Sequence, residues 1–318
     1  MSGFTITAGV SFSGGFTFTE MPPNTNTDAW FGGGYGSSAF RTTVDRITYA
    51  TDTATASVRG PLTAARYELA GVGNTTDGWF GGGRSPSGGG SRVDRITYAT
   101  DTATASVRGP LSAERSGLAA AGNTTDSWWA GGWDTYYSSM VNKITYATDT
   151  ATAISRGGFP GAAAAREYIA AAGNTYDGWW GGGIKADGRT CREDRITYAT
   201  DTAASVVRGP LSLARRQLSA TGNSDYGWFG GGDNGDALSR VDRITYATDT
   251  ATASVRGPLS GDRSSMAAAG NTTDGWWGGG TSIVDRITWA TDTATASTRG
   301  PLSLSRYKLA AASNISLA

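Results

Sequence analysis

Apolar and polar positions alternate with period two in short runs, and the runs recur along almost the whole chain. The clearest is Val93-Asp94-Arg95-Ile96-Thr97-Tyr98-Ala99-Thr100-Asp101-Thr102, whose core returns from Asp45, Asp94, Asn142, Asp194, Asp242 and Asp285 at intervals of 43 to 52 residues. Period-two alternation over such short runs predicts strands. A repeat of this length predicts stacked or radially arranged supersecondary units. Each unit divides into four expected strands. The first is the small-residue stretch Leu69-Ala-Gly-Val. The second is Trp79-Phe80 running into Gly81-Gly82-Gly83. The third is the recurring stretch itself, with Ile96 and Tyr98 on one face. The fourth runs from Ala103 to Val107 and ends at Arg108-Gly109-Pro110-Leu111, because proline cannot donate to a ladder. Adjacent apolar residues such as Trp79 and Phe80 point to opposite faces of a strand, so both faces of each sheet must be buried.

The repeat is entered in mid-unit. Asn24 to Trp30 matches Asn74 to Trp79, whereas the chain closes on Arg306 to Asn314, which matches Arg66 to Asn74. The first unit lacks its opening strand and the last residues supply a spare one. That arrangement closes a ring and removes an exposed sheet edge. Six aromatic pairs, beginning at Trp30, Trp79, Trp128, Trp179, Trp228 and Trp276, agree with six opening arginines: Arg66, Arg115, Arg166, Arg215, Arg263 and Arg306. The expected fold is therefore all-β, a six-bladed β-propeller over residues 22–318 closed by its C-terminal strand. Residues 1–21 stand outside the repeat. Phe4, Ile6, Val10, Phe12, Phe16 and Phe18 alternate with small polar residues around Gly14-Gly15, which predicts a β-hairpin extension for attachment or docking.

Composition narrows the function classes. The 318 residues carry 27 basic and 27 acidic side chains, so nucleic-acid binding driven by net charge is not expected. There is no histidine, which removes the commonest general base and metal ligand; no metal or cofactor is expected. The single cysteine, Cys191, allows no internal disulfide. No run is long enough for a membrane-spanning helix, and the N-terminus lacks a secretory pattern.

Residues that recur once per unit, such as Asp94, Arg95, Asp101, Arg108 and Arg115, are expected to pair between strands and turns. Six identical catalytic sites would be unusual, whereas a ring needs the same support six times. The glycine runs lack the lysine of a phosphate loop. They are expected to supply positive φ and close backbone approach.

The unit resembles the kelch repeat, with Arg115, Gly81-Gly82, Tyr98 and Asp101 at that family's marked positions and its fourth-strand tryptophan missing. Kelch-type copper oxidases need histidine ligands, which are absent. Glycosidase propellers need a carboxylate pair, and among Asp187, Glu193, Asp233 and Asp236, placed in loops, no pair stands out. The string from Asp94 to Leu111 also resembles repeats in virion structural proteins of marine tailed bacteriophages, those of cyanobacteria among them. This resemblance implies a non-enzymatic virion component of tail, fibre or head surface, present in several copies. Its partners would be other virion proteins and a host surface glycan or receptor. The alternatives are a carbohydrate-processing propeller and a bacterial surface or scaffold propeller.

The segments between second and third strands are the ones that differ: residues 35–44, 84–93, 133–141, 184–193, 233–241 and 281–284. Varied loops on a rigid scaffold are where recognition usually lies. The candidate contacts are the aromatics Tyr35, Phe40, Trp133, Tyr136 and Tyr137 and the donors Arg84, Arg92, Lys185 and Arg189.

Overall fold

The computed structural model describes residues 27–161 and 164–314. The expected extension, with Phe4, Ile6, Val10, Phe12, Phe16 and Phe18, lies outside the described residues. Six antiparallel four-stranded sheets form the blades of a propeller. In the second blade the strands, from the axis outward, are Ala70–Gly73, Asp77–Gly81, Val93–Thr97 and Ser106–Arg108. Closure is as the split repeat requires. Ala310–Ser313 pairs with Asp28–Gly32, setting Trp30 opposite Ala312 and Phe31 opposite Ala311.

The innermost strands are built from alanine and glycine because six of them converge on the axis. A Cβ at Gly71 would lie 2.4 Å from the Ala311 carbonyl of the neighbouring blade. The second strands carry the aromatic pair, and each member has its own direction. Trp79 turns forward and stacks on Tyr146 of the third blade at 3.9 Å. Phe80 turns backward into space left by Gly32 of the first blade, where a Cβ would meet its ring at 2.9 Å. Both tryptophan and phenylalanine are buried, so each sheet is apolar on both faces, as the paired aromatics predict.

Two expected strand limits are corrected. Tyr98 is not in the third strand; it opens a short 3-10 turn, Tyr98–Thr100. Leaving the strand turns its ring onto Trp30 of the preceding blade, 3.8 Å away. The outermost strand begins at Ser106 rather than Ala103. Ala103 to Ala105 is held instead by the preceding blade: the Ala105 N–H donates to the Pro61 carbonyl at 2.9 Å. The Ala103 carbonyl lies so near Gly60 that a Cβ there would be 1.8 Å away. All six glycines of the Arg-Gly junctions, Gly60, Gly109, Gly157, Gly209, Gly257 and Gly300, face a carbonyl of the next blade within 2.0 Å of such a Cβ. The glycine is fixed by this approach rather than by its φ.

The recurring charges pair as expected. Asp101 is buried and accepts from Trp30 Nε1 at 2.8 Å and Arg46 Nη1 at 3.2 Å, with Arg59 Nε at 3.4 Å. Asp149, Asp249, Asp292 and Asp52 each receive the same tryptophan and two arginines from the blade before. At Asp201 the third-strand arginine is replaced by Lys143, which turns to Asp126 at 3.3 Å. Removing one partner of a buried charge network leaves the others uncompensated, so Asp101→Ala is expected to cost about 3 kcal/mol or more in urea unfolding.

Glu193 is a correction. Expected in a loop, it opens a third strand at a fully buried position that is valine in the other five blades. Neither of its oxygens has a hydrogen-bond partner among the described residues. Burial first, then Asp249 and Asp194, hold its pKa well above the ordinary 4.5. Folding favours the neutral form, whereas the unfolded chain ionises it above about 4.5. Its cost to stability is therefore smallest below pH 4.5 and grows as pH rises toward the folded value. Glu193→Val is expected to raise the melting temperature, and by more at pH 8 than at pH 5 in differential scanning calorimetry.

Candidate functional site on the loop face

Each opening arginine is an anchor beneath one face of the ring. Arg66 is buried, ion-paired to Asp94 at 2.6 Å, and its Nη1 donates to the Gly82 and Arg92 carbonyls at 2.7 and 2.8 Å. The next two residues, Tyr67 and Glu68, are thereby carried onto the loop face beside the axis. The same step places Ser116-Gly117, Glu167-Tyr168, Arg216-Gln217, Ser264-Ser265 and Tyr307-Lys308.

The second residue of every pair has a positive φ, from 55° to 65°, in the left-handed region. That conformation lets their backbones join in a closed circle. Glu68 N–H donates to the Lys308 carbonyl, Gly117 to Glu68, Tyr168 to Gly117, Gln217 to Tyr168, Ser265 to Gln217 and Lys308 to Ser265, at 2.7 to 3.0 Å. The backbone circle is six-fold, but its side chains share nothing: carboxylate, none, phenol, amide, hydroxyl and ammonium. They form the lip of an axial cavity of about 70 Å³. At the other end of the axis, a cavity of about 90 Å³ is walled largely by alanine and glycine.

Charge concentrates on one side of the lip. Glu68 Oε1 accepts from Tyr168 Oη and Lys308 Nζ, both at 2.6 Å. Its Oε2 lies 3.4 Å from Arg84 Nε. Lys308 Nζ also sits 5.3 Å from the Tyr67 ring centre and 5.2 Å from that of Tyr168. Gly117 makes this bridge possible, since a Cβ there would meet Glu167 and Tyr168 at 3.2 Å. Glu167 is half-buried with one oxygen unpartnered among the described residues. Desolvation, then the Glu68 charge, raises its pKa to about 7. The Tyr168 phenol is pushed up by burial and by its bond to Glu68.

The expected contacts fall into five groups. Tyr35 and Phe40 meet edge to face at 5.5 Å and, with Tyr67 and Tyr307, make an aromatic shelf continuous with Lys308 and the lip. Arg84 reaches the lip through Glu68. Trp133 and Tyr137 pack edge to face at 4.7 Å in the third blade, with Tyr136 78% exposed beside them. Lys185 pairs with Asp187 at 2.7 Å within its own hairpin, and Arg189 with Asp233 of the next blade at 2.9 Å. Arg92 is bound into the scaffold, donating to Thr63 Oγ1 at 2.7 Å.

The lip residues Glu68, Tyr168, Gln217, Ser265 and Lys308, and the neighbouring Glu167, are not among the expected contacts. A signal for the lip residues exists: the second position after each opening arginine is a different residue in all six units while the residues flanking the pair repeat.

No protein-family model matches the chain, and no curated protein matches it. The kelch and virion resemblances are thus not confirmed by either comparison. Among solved structures the chain is similar to YjhT, at 12% identity with a TM-score of 0.69, over 86% of this chain and 95% of that one. At this identity the likeness shows the propeller fold alone.

The electrostatics of the lip make one expectation direct. Glu68→Gln removes the charge that helps hold Glu167 up, so the Glu167 pKa should fall below about 7. Carboxyl-detected NMR titration of the two proteins reads the shift.

Proposed function

We propose that the protein is a non-enzymatic binding propeller, a virion structural component whose loop face meets a host glycan or a partner protein. One observation carries the binding reading. The scaffold repeats its supports in six blades with isolated departures at Asn142, Lys143 and Glu193, whereas at the lip all six equivalent positions carry a different residue. A fold requires repetition of its supports; it does not require a carboxylate, an amide and an ammonium at equivalent positions of one circle. The aromatic shelf of Tyr35, Phe40, Tyr67 and Tyr307 beside a polar basin suits a sugar ring, whose apolar face packs on aromatics while its hydroxyls bond to charged groups. The virion assignment rests on the resemblance of the repeated string and on no feature of the site.

A second reading has its own observation. Glu167, held near pH 7 beside Glu68, has the pKa of a general acid, and carbohydrate-processing sites use such carboxylate pairs. A glycan array paired with a hydrolysis assay on its hits separates the readings. Retention without turnover is expected. Turnover that Glu167→Gln abolishes would establish the enzyme, and an array without hits would remove the glycan reading.

A further inference from the structure

The axial cavity is stratified in a way that selects a chemical group. Its floor is six aliphatic side chains, one per blade: Leu69, Leu118, Ile169, Leu218, Met266 and Leu309. All six are buried. Its lip is the unlike circle of Glu68, Gly117, Tyr168, Gln217, Ser265 and Lys308. The backbone hydrogen bonds order that circle, and three steps separate Glu68 from Gln217. They therefore stand on opposite sides of the axis. Glu68 is 5% exposed, and its Oε2 accepts no hydrogen bond among the described residues although Arg84 lies near. This is a buried acceptor with spare capacity on the wall of the cavity. Gln217 is partly buried and carries an amide donor.

A trans secondary amide has the matching shape. Its N–H and C=O point to opposite sides of its long axis, and an acetamido group carries a methyl at one end of that axis. Standing along the propeller axis, such a group sets its methyl on the aliphatic floor, its N–H toward Glu68 and its C=O toward Gln217. The volume agrees. About 70 Å³ exceeds the ~10–15 Å³ that one water needs and leaves room for a small group such as acetamido. The ring itself stays above the lip. There the shelf of Tyr67, Tyr35 and Tyr307 is joined to the cavity by Lys308, whose ammonium touches both the Tyr67 ring and Glu68.

We infer that the loop face recognises a glycan bearing a 2-acetamido sugar, with the acetamido group inserted into the axial cavity between Glu68 and Gln217. The inference rests on the glycan-binding reading of the face and names the sugar it takes. Burying one methyl is worth about fourfold in affinity. A hydrogen bond at each end adds about two- to tenfold apiece.

The test is isothermal titration calorimetry of the full chain with chitotriose and with cellotriose, which differ in their acetamido groups. Chitotriose should bind one site per chain at least about tenfold more tightly than cellotriose. Gln217→Leu keeps the side chain's size and removes its donor. It should weaken chitotriose by about two- to tenfold while leaving cellotriose unchanged. Tyr67→Ala should weaken both sugars, and thermal melting verifies that each variant is folded. Equal affinity for the two trimers, or a folded Gln217→Leu variant with unchanged preference, overturns the inference. A glycan array whose hits all lack acetamido groups overturns it too and leaves glycan binding intact. An array with no hits removes both.

Discussion

Everything else in the ring depends on one contact between blades: a tryptophan that stacks on the next blade's aromatic while its indole N–H donates to that blade's buried aspartate. Trp30 does this with Tyr98 and Asp101, Trp79 with Tyr146 and Asp149, and Trp276 closes the circle onto Tyr49 and Asp52. The contact combines two requirements in one side chain. Stacking at 3.8 to 3.9 Å excludes water, and exclusion of water strengthens the hydrogen bond to the carboxylate. The arginines of the third and fourth strands then neutralise that carboxylate from the same blade as the tryptophan. Each blade presents cations and an indole forward and an aspartate and an aromatic ring backward, a phenol in five blades and the Trp289 indole in the sixth. Only a closed ring leaves none of these without a partner, so the chemistry of the interface, and not just the shape of the wedge, enforces closure.

The same contact explains why the chain tolerates so little change in its repeated stretch. Tyr98 must leave the third strand to reach Trp30, so a short turn follows Thr97. The turn carries Asp101 under the preceding blade, and Ala103 against Gly60. A side chain in place of that glycine would push two blades apart. Departures from the pattern are compensated locally or carry a cost. Asn142 replaces an aspartate, and Arg115 bonds to it at 2.7 Å without a countercharge, so burial lowers the Arg115 pKa to about 10. Glu193 replaces a valine, and burial, with no hydrogen-bond partner among the described residues, holds its pKa well above the ordinary 4.5.

Architecture was legible in the chain because repetition exposes it. The split repeat required closure, the Trp-Phe pair required burial on both faces, and the recurring charges required partners. The strand limits were less legible. Alternation continues through Tyr98 and Ala103 to Ala105, yet tertiary contacts with the preceding blade remove those residues from the sheet. The site was legible only in part. The varied loops between second and third strands do carry Tyr35, Phe40 and Arg84 on the axial side. They also carry Arg92, which serves the scaffold. Glu68, Tyr168 and Gln217 were hidden because each varied position is a single residue inside a strongly repeated segment, where it reads as noise in the repeat. Only the coordinates join the six of them into one circle.

That circle couples the scaffold to the loop face. The left-handed conformation at Glu68, Tyr168, Gln217, Ser265 and Lys308 is unusual for residues with a Cβ and costs about 1 kcal/mol or more at each. Glycine, present at Gly117, would relieve the cost everywhere, and the chain uses it at one position of the six. The other five retain side chains at a conformation that disfavours them. Their backbones need only the hydrogen bonds, which glycine would make equally well. What glycine would not supply is a carboxylate, a phenol, an amide, a hydroxyl and an ammonium facing one axis. Part of that cost is offset within the lip, where Glu68 accepts from Tyr168 and Lys308; Gln217 and Ser265 make no such bridge to the other lip side chains, and it is there that the proposed binding role would account for a side chain in place of glycine.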